Sequence, residues 1–335
     1  MFLAFLAVFS GLVLPDRSEK LAEAVYVHIA QPDSDAVSNA GFVVLQNSVL
    51  IFDSHSTPEA GQRLLAEIRE ITPKPVRYIL NSHYHADHTH GNQALGPAQQ
   101  IISATNARRD VLQKDIPSMN FSLGMARSQL EKMQKDLLAS ANVQEQSALR
   151  NKIRDRREFV DRMARLKILV PTMTVDERID LHESMLNLEL LYLGRGHTDG
   201  DLVLFIPKDR IVFTGDLFYN SALPYTQDAS LLEWVATLGE LLKLEADIFV
   251  PGHGPCGTRD NVKEFKSYLE ELKSLVEPGV ARGDSMQQIL RDVRLPSRYA
   301  SYNFQNFFQA NLQKMYVELK SQLPPTPPPE PVKKP

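Results

Sequence analysis

One cysteine, Cys256, is all the thiol in 335 residues. No disulfide can close within the chain, and the fold must be held by packing or by metal. A run of about 20 apolar residues, the length of an ordinary membrane helix, is also missing. The apolar stretch Phe2 to Leu14 has instead the length of a signal-peptide core. It lacks a Lys or Arg ahead of it and an Ala-x-Ala site after it. Two placements therefore stay open: a periplasmic or secreted protein, or a cytoplasmic one whose first residues are a short anchor or a misassigned start. An excess of positive charge is missing too, with 37 Lys and Arg against 41 Asp and Glu, a net charge of −4. That balance gives no reason to expect nucleic acid or an anionic membrane as the main partner. No internal repeat of solenoid period is evident.

What is present can fill a sizeable core, since 43% of the residues are hydrophobic. One large domain over 21–323 is expected, preceded by a signal-like segment over 1–20. Strand-like stretches run from Ala24 to Ala30 and from Gly41 to Asp53, the second broken by Gln46-Asn47-Ser48. Helical spacing of Leu64, Leu65, Ile68 and Ile71, with a start signal at Thr57-Pro58, predicts a helix over Ser56 to Ile71. Val76 to Leu80 reads as a buried strand, and His83 to Asn92 as a loop at its C-terminal end, where open α/β sheets build their sites. Residues 121–167 lack proline and carry apolar residues at helical spacing. They predict an inserted helical hairpin broken at Ser140-Ala141-Asn142, with its arginines on a solvated, salt-bridged face. Strands are expected again at Met173–Val175, Leu186–Leu193, Leu202–Ile206, Ile211–Phe213 and Ile248–Val250, and helices at Leu231–Leu244, Asp260–Val276 and Phe304–Leu323. The proline-dominated tail 324–335 predicts a disordered or polyproline-like extension.

Histidine is scarce, nine in the whole chain, yet His83, His85 and His88 fall within six residues together with Asp87. Such a cluster suits zinc, which takes imidazole and carboxylate ligands and keeps one position for water when catalytic. In an extended loop His83 and His85 point to one side and can share an ion, leaving Asp87 and His88 for a second. Further candidates stand beside glycines at strand ends, in Gly194-Arg195-Gly196-His197, Thr214-Gly215-Asp216 and Pro251-Gly252-His253-Gly254. His90 reads as a neighbour of the site or a surface residue, while His55 and His182 have no motif context. Asp53, at a strand end, is a candidate to brace the ligand loop. Thr198 and Asn92 suit either ligand support or local turns, and Cys256 suits packing.

Taken in order, H-x-H-x-D-H, Gly-His-Thr, Gly-Asp and Pro-Gly-His-Gly resemble the metallo-β-lactamase superfamily, over about Val25 to Gly257. The resemblance implies an α/β fold, the αββα sandwich of that family, with the helical hairpin and C-terminal helices added. It implies that His83, His85 and His197 hold one Zn2+, that Asp87, His88 and His253 hold another, and that Asp216 bridges both. Asp87 would orient the shared water and pass on its proton. A bridging aspartate at 216 is similar to glyoxalase II and lactonases, and differs from the cysteine of the best-known zinc β-lactamases. Tyr219, three residues on, resembles a tyrosine of acyl-homoserine-lactone lactonases that donates to the substrate carbonyl; a packed core aromatic is the other reading.

These residues predict a hydrolase that attacks the carbonyl of an ester, lactone, thioester or cyclic amide, a β-lactam included, in a small-molecule substrate. Three alternatives are weighed beside it: an iron-dependent persulfide dioxygenase, a zinc-dependent nuclease, and a non-catalytic module stabilised by metal. Specificity is expected from the loop Leu217 to Gln227, the insertion and the C-terminal helices, none of which carries a readable code.

Overall fold

The computed structural model describes residues 18–31, 33–96, 100–183 and 186–323. The apolar run Phe2 to Leu14 and the tail 324–335 lie outside the described residues. Among the described residues, no helix is long and apolar enough to cross a membrane.

Strands β1 (Ser18–Lys20), β2 (Val25–His28), β3 (Ala40–Val44) and β4 (Val49–Phe52) form an antiparallel meander. Helix α1 (Pro58–Ile71), capped by the Thr57 hydroxyl, crosses over to β5 (Val76–Leu80), which lies parallel to β4. A single helical turn, α2 (Ala86–Thr89), precedes β6 (Gln100–Ala104), parallel to β5. Helix α3 (Thr105–Asp110), a π turn at Val111–Asp115, α4 (Ile116–Ala139) and α5 (Val143–Arg165) follow, and β7 (Met173–Val175) completes a seven-stranded sheet. The second sheet holds β8 (Arg178–His182), β9 (Asn187–Tyr192), β10 (Leu202–Ile206) and β11 (Ile211–Tyr219), joined antiparallel. After α6 (Leu231–Leu241), β12 (Ile248–His253) adds parallel to β11. Helices α7 (Arg259–Arg282), α8 (Met286–Asp292) and α9 (Phe308–Ser321) close the chain.

Alternation along the strands sorts the core into three layers of side chains. Leu50 and Phe52 of β4 face Leu202, Leu204 and Ile206 of β10 between the sheets. Val49 and Ile51 turn the other way and pack on Leu64 and Ile68 of α1. Val203 and Phe205 turn toward Trp234, Phe265 and Leu312 from α6, α7 and α9. The result is an αββα sandwich, as expected, with a helical hairpin added between β6 and β7.

Several boundaries differ from the sequence reading, each for a physical reason. Strands β1, β6 and β8 were not expected; β1 and β8 contain no fully buried residue and so show no apolar run. The hairpin begins before residue 121, because Pro117 sits in the first turn of α4, where its missing N–H is no loss. Its break is where expected, at 140–142, with Asn142 capping α5. Helix α7 runs through Pro278 to Arg282 and ends at Gly283, in the left-handed conformation. Strand β11 continues past Phe213 to Tyr219, so Asp216 lies inside a strand. Every residue of β11 is buried, and no polar alternation marks where it would stop. The run His83 to Asn92 is not loop throughout: His88 N–H bonds the His85 carbonyl and His90 N–H that of Ala86, giving the α2 turn that carries Asp87 and His88.

Candidate metal centre

The ends of β4, β5, β9, β11 and β12 converge at one edge of the sandwich and bring two groups of ligating side chains together. His83, His85, His197 and Asp216 form the first, and Asp87, His88 and His253 the second; within each group the ligand atoms lie within 4.8 Å of one another. Asp216 also joins the two groups. Its Oδ2 lies 3.3 Å from His197 Nε2, and its Oδ1 lies 3.2 Å from His88 Nε2 and 3.5 Å from His253 Nε2. All seven residues named from the sequence are thus brought together.

The hydrogen bonds behind the site fix which imidazole nitrogen faces inward. His83 Nδ1 is 3.0 Å from Ser82 Oγ, whose own proton goes to Asp53 Oδ2 at 2.7 Å. His88 Nδ1 lies 2.8 Å from Asp53 Oδ2, and His85 Nε2 lies 3.2 Å from Asp228 Oδ2. Those contacts leave His83 Nε2, His88 Nε2 and His85 Nδ1 as inward lone pairs. His83 Nε2, His88 Nε2 and Asp216 Oδ1 are buried without a hydrogen-bond partner, and His85 Nδ1 meets His197 Nε2 at 2.9 Å. Buried acceptors turned on one another are costly unless a cation lies among them. Imidazole and carboxylate donors of this number fit zinc.

Electrostatics set the two ligand groups apart. Burial holds His83 well below the usual histidine pKa and His197 down at about 3, so both stay neutral and ligand-ready. Burial would lower His88 and His253 as well, but the surrounding carboxylates, Asp216 foremost, outweigh it and push His88 well above its usual value and His253 to about 9. Burial likewise works against ionisation of Asp87, yet His88 and His253 hold that carboxyl well below the usual range. The cluster is built for charge of both signs.

Two close approaches require glycine. Gly215 has φ of +52°, and a Cβ there would meet the Ser82 side chain at 2.4 Å; a Cβ at Gly252 would meet Asp216 Oδ1 at 1.9 Å. Each lets a backbone pass beside a ligand-bearing neighbour.

The model of the Metallo-beta-lactamase superfamily matches residues 34–253, from before the ligand loop to the last ligand. The chain belongs to that superfamily. The chain is similar to the linear primary-alkylsulfatase of Pseudomonas sp. (strain ATCC 19151), 23% identical over 279 residues, covering 76% of this chain and 49% of the relative. The chain therefore spans about half the length of that protein. A metallo-beta-lactamase type 2 of Pseudomonas aeruginosa is 23% identical, covering 80% of this chain and 89% of the relative. In fold, the chain is similar to a solved metallo-beta-lactamase from Pontibacter korlensis, with a TM-score of 0.56 at 18% identity, covering 76% of this chain and 99% of that one.

Other residues of this superfamily member fall where chemistry, not motif, explains them. Tyr219 is buried, stacked on the His253 ring at 5.1 Å, and its hydroxyl donates to Asp216 Oδ2. Burial and the Asp216 charge push its pKa well above the usual value. His90 Nε2 sits 3.2 Å from both oxygens of Asp115 in the π turn, outside the ligand groups. Thr198 closes a local turn with Asp201. Asn92 pairs with Asn81, which reaches the His88 carbonyl. His182 bonds Asn187 at the surface. Cys256 packs at the edge of the inter-sheet core, and burial raises its thiol pKa to about 11. Asp228, Ser82, Ser38 and Asn39 escaped the sequence reading. Ser38 Oγ donates to the Asp87 carbonyl, and Asn39 Nδ2 donates to the carbonyls of Pro251 and Gly254, tying the last ligand loop to the first sheet. Serine and asparagine at a turn carry no signal separating this role from ordinary turn chemistry.

Proposed function

We propose that the protein is a dinuclear zinc hydrolase that attacks a substrate carbonyl: that of a carboxylic ester, lactone, thioester or cyclic amide, a β-lactam among them. The observation that carries this reading is the convergence of seven imidazole and carboxylate side chains in two groups joined by Asp216, with His83 Nε2, His88 Nε2 and Asp216 Oδ1 buried and without a hydrogen-bond partner. His83, His85 and His197 would hold one ion, Asp87, His88 and His253 the other, with Asp216 shared. Zinc bound there would supply a hydroxide at neutral pH and polarise the bond under attack.

The chain's own groups have distinct tasks. Asp87 is the ligand carboxylate most open to solvent, with a quarter of its side chain exposed against 3% for Asp216. Ionised and accessible, it is placed to take a proton from the attacking water and return it to the leaving group. Tyr219 holds Asp216 by its hydroxyl and acts as a positioning residue. Asp53 and Asp228 hold three of the histidines in the tautomers that keep their lone pairs inward.

The alkylsulfatase relative gives a second reading, hydrolysis of a sulfate ester by the same groups. Against the iron-dependent dioxygenase stands the second ligand group, which a one-metal reaction leaves idle.

Metal quantification with a hydrolysis panel tests the proposal. About two zinc ions per chain are expected, with chelator-sensitive turnover of at least one ester, lactone, thioester, β-lactam or alkyl sulfate. Asp87→Ala should lose about 100-fold or more in kcat. A single iron, or undiminished turnover in Asp87→Ala, would overturn it.

A further inference from the structure

The C-terminal segment beyond the superfamily match returns to the metal centre. Asn303 N–H bonds the Ser221 carbonyl and Leu223 N–H bonds the Asn303 carbonyl, so residues 302–304 lie beside the loop that follows β11. The segment is anchored on α7 from below: Tyr299 is fully buried against Tyr268, and Tyr302 Oη donates to Glu264 at 2.7 Å. Held at both sides, the chain places Phe304 in the left-handed region, at φ of +60°. A bulky residue there is strained, and such strain is kept where the surroundings impose it, commonly at ligand-binding sites.

The strain aims an apolar ring at a ligand. The Phe304 ring stands edge-on to His253, with centroids 5.6 Å apart, and 39% of the residue remains exposed. Phe307 lies 5.8 Å from Phe304 and 5.6 Å from Tyr225, and the Tyr225 ring faces His85 at 5.8 Å and His197 at 6.4 Å. Tyr225, Phe307 and Phe304 thus form a continuous aromatic wall running from one ligand group to the other. The charge on the far side of His85 is internally matched: Lys114 Nζ lies 2.7 Å from Asp110 and 3.4 Å from Asp228. That ammonium is already committed to carboxylates.

We infer that Phe304, Phe307 and Tyr225 determine specificity by binding an apolar group of the substrate, an alkyl chain or a ring, next to the bond that the metal centre cleaves. This rests on the hydrolase reading for the reaction but not for the binding, because the wall would hold the apolar group of a product as well. Apolar burial makes each methylene worth roughly a fourfold change in affinity at most.

The experiment uses the full chain loaded with zinc. Turnover of p-nitrophenyl acetate, butyrate, hexanoate and octanoate is followed, and binding of acetate and octanoate is measured by calorimetry. Octanoate ester should exceed acetate ester in kcat/KM by about tenfold or more, carried by KM, and octanoate should bind correspondingly tighter than acetate. Phe304→Ala and Phe307→Ala should each lower the octanoate-to-acetate ratio by about fivefold. Phe304→Leu should retain most of it, and Phe121→Ala, on the exposed face of α4, should leave it unchanged. Equal binding of octanoate and acetate, or a ratio that survives both alanine variants, overturns the inference. If no ester turns over but octanoate binds tightly and Phe304→Ala abolishes the preference, the wall stands and the ester-hydrolase reading falls.

Discussion

The carboxylate of Asp53 reaches both halves of the site, accepting from His88 Nδ1 and, through the Ser82 hydroxyl, governing His83. Asp228 does the same for His85, and its pKa is drawn well below the usual carboxylate range by that hydrogen bond. Removing such a partner frees the ring to rotate and the tautomer to change. Asp53→Asn and Asp228→Asn should each weaken zinc binding by about 10- to 100-fold, measured by competition with a chromophoric chelator. Affinity equal to that of the parent would show that packing alone orients the rings. His55 differs, being buried with Nε2 unpartnered and its pKa lowered to about 3 by burial and by neighbouring His28. Its folded pKa lies below the unfolded value of about 6.5, so the unfolded chain takes up a proton first as pH falls. The stability it contributes is present above pH 6.5 and is lost progressively between about 6.5 and 3. At pH 5.5 this loss should be about 1.4 kcal/mol relative to pH 7.5 in urea unfolding. His55→Gln should remove that part of the slope, and an unaltered slope would mean that His55 titrates normally.

At the scale of elements, β11 and β12 are the pair on which the site depends. Their register shifts at Gly215, and the shift turns Asp216 toward both ligand groups. Gly215→Ala combines a left-handed alanine with a clash against Ser82, itself bonded to Asp53. A loss of about 2 to 4 kcal/mol is expected in chemical denaturation, together with weaker zinc binding. Stability within 1 kcal/mol of the parent would show that Ser82 yields freely. The hairpin α4–α5 is different, since few of its residues are buried. It touches the site region through its root, where Lys114 and Asp115 of the π turn meet Asp228 and His90.

On the scale of the whole molecule, the proposed ions would join the two sheets. His83 and His85 follow β5 of the first sheet, while His197, Asp216 and His253 come from the second. Anything bound across them stabilises both sheets together. Chelation should therefore lower the midpoint of thermal unfolding, by an amount equivalent to about 2.7 kcal/mol for each ion present at 100 times its dissociation constant. A midpoint indifferent to chelator would show that the ions contribute nothing to the fold.

By itself the sequence determined most of the strands and helices and, through its resemblance to the superfamily, the αββα layering and the seven histidines and aspartates that the fold brings together. Histidine and aspartate clustered beside glycines have few other uses, and the buried strands show their apolar content locally. Asp53 was also readable, as a carboxylate ending a buried strand. Tertiary structure alone decided the rest, because the deciding contacts join residues far apart in the chain. Asp228 meets His85 across 143 positions and Asn39 meets Gly254 across 215, and no local pattern records such a pair. Phe304 looks like one more apolar residue at the start of a helix; only the anchored path of the segment before α9 turns it into part of the wall beside His253.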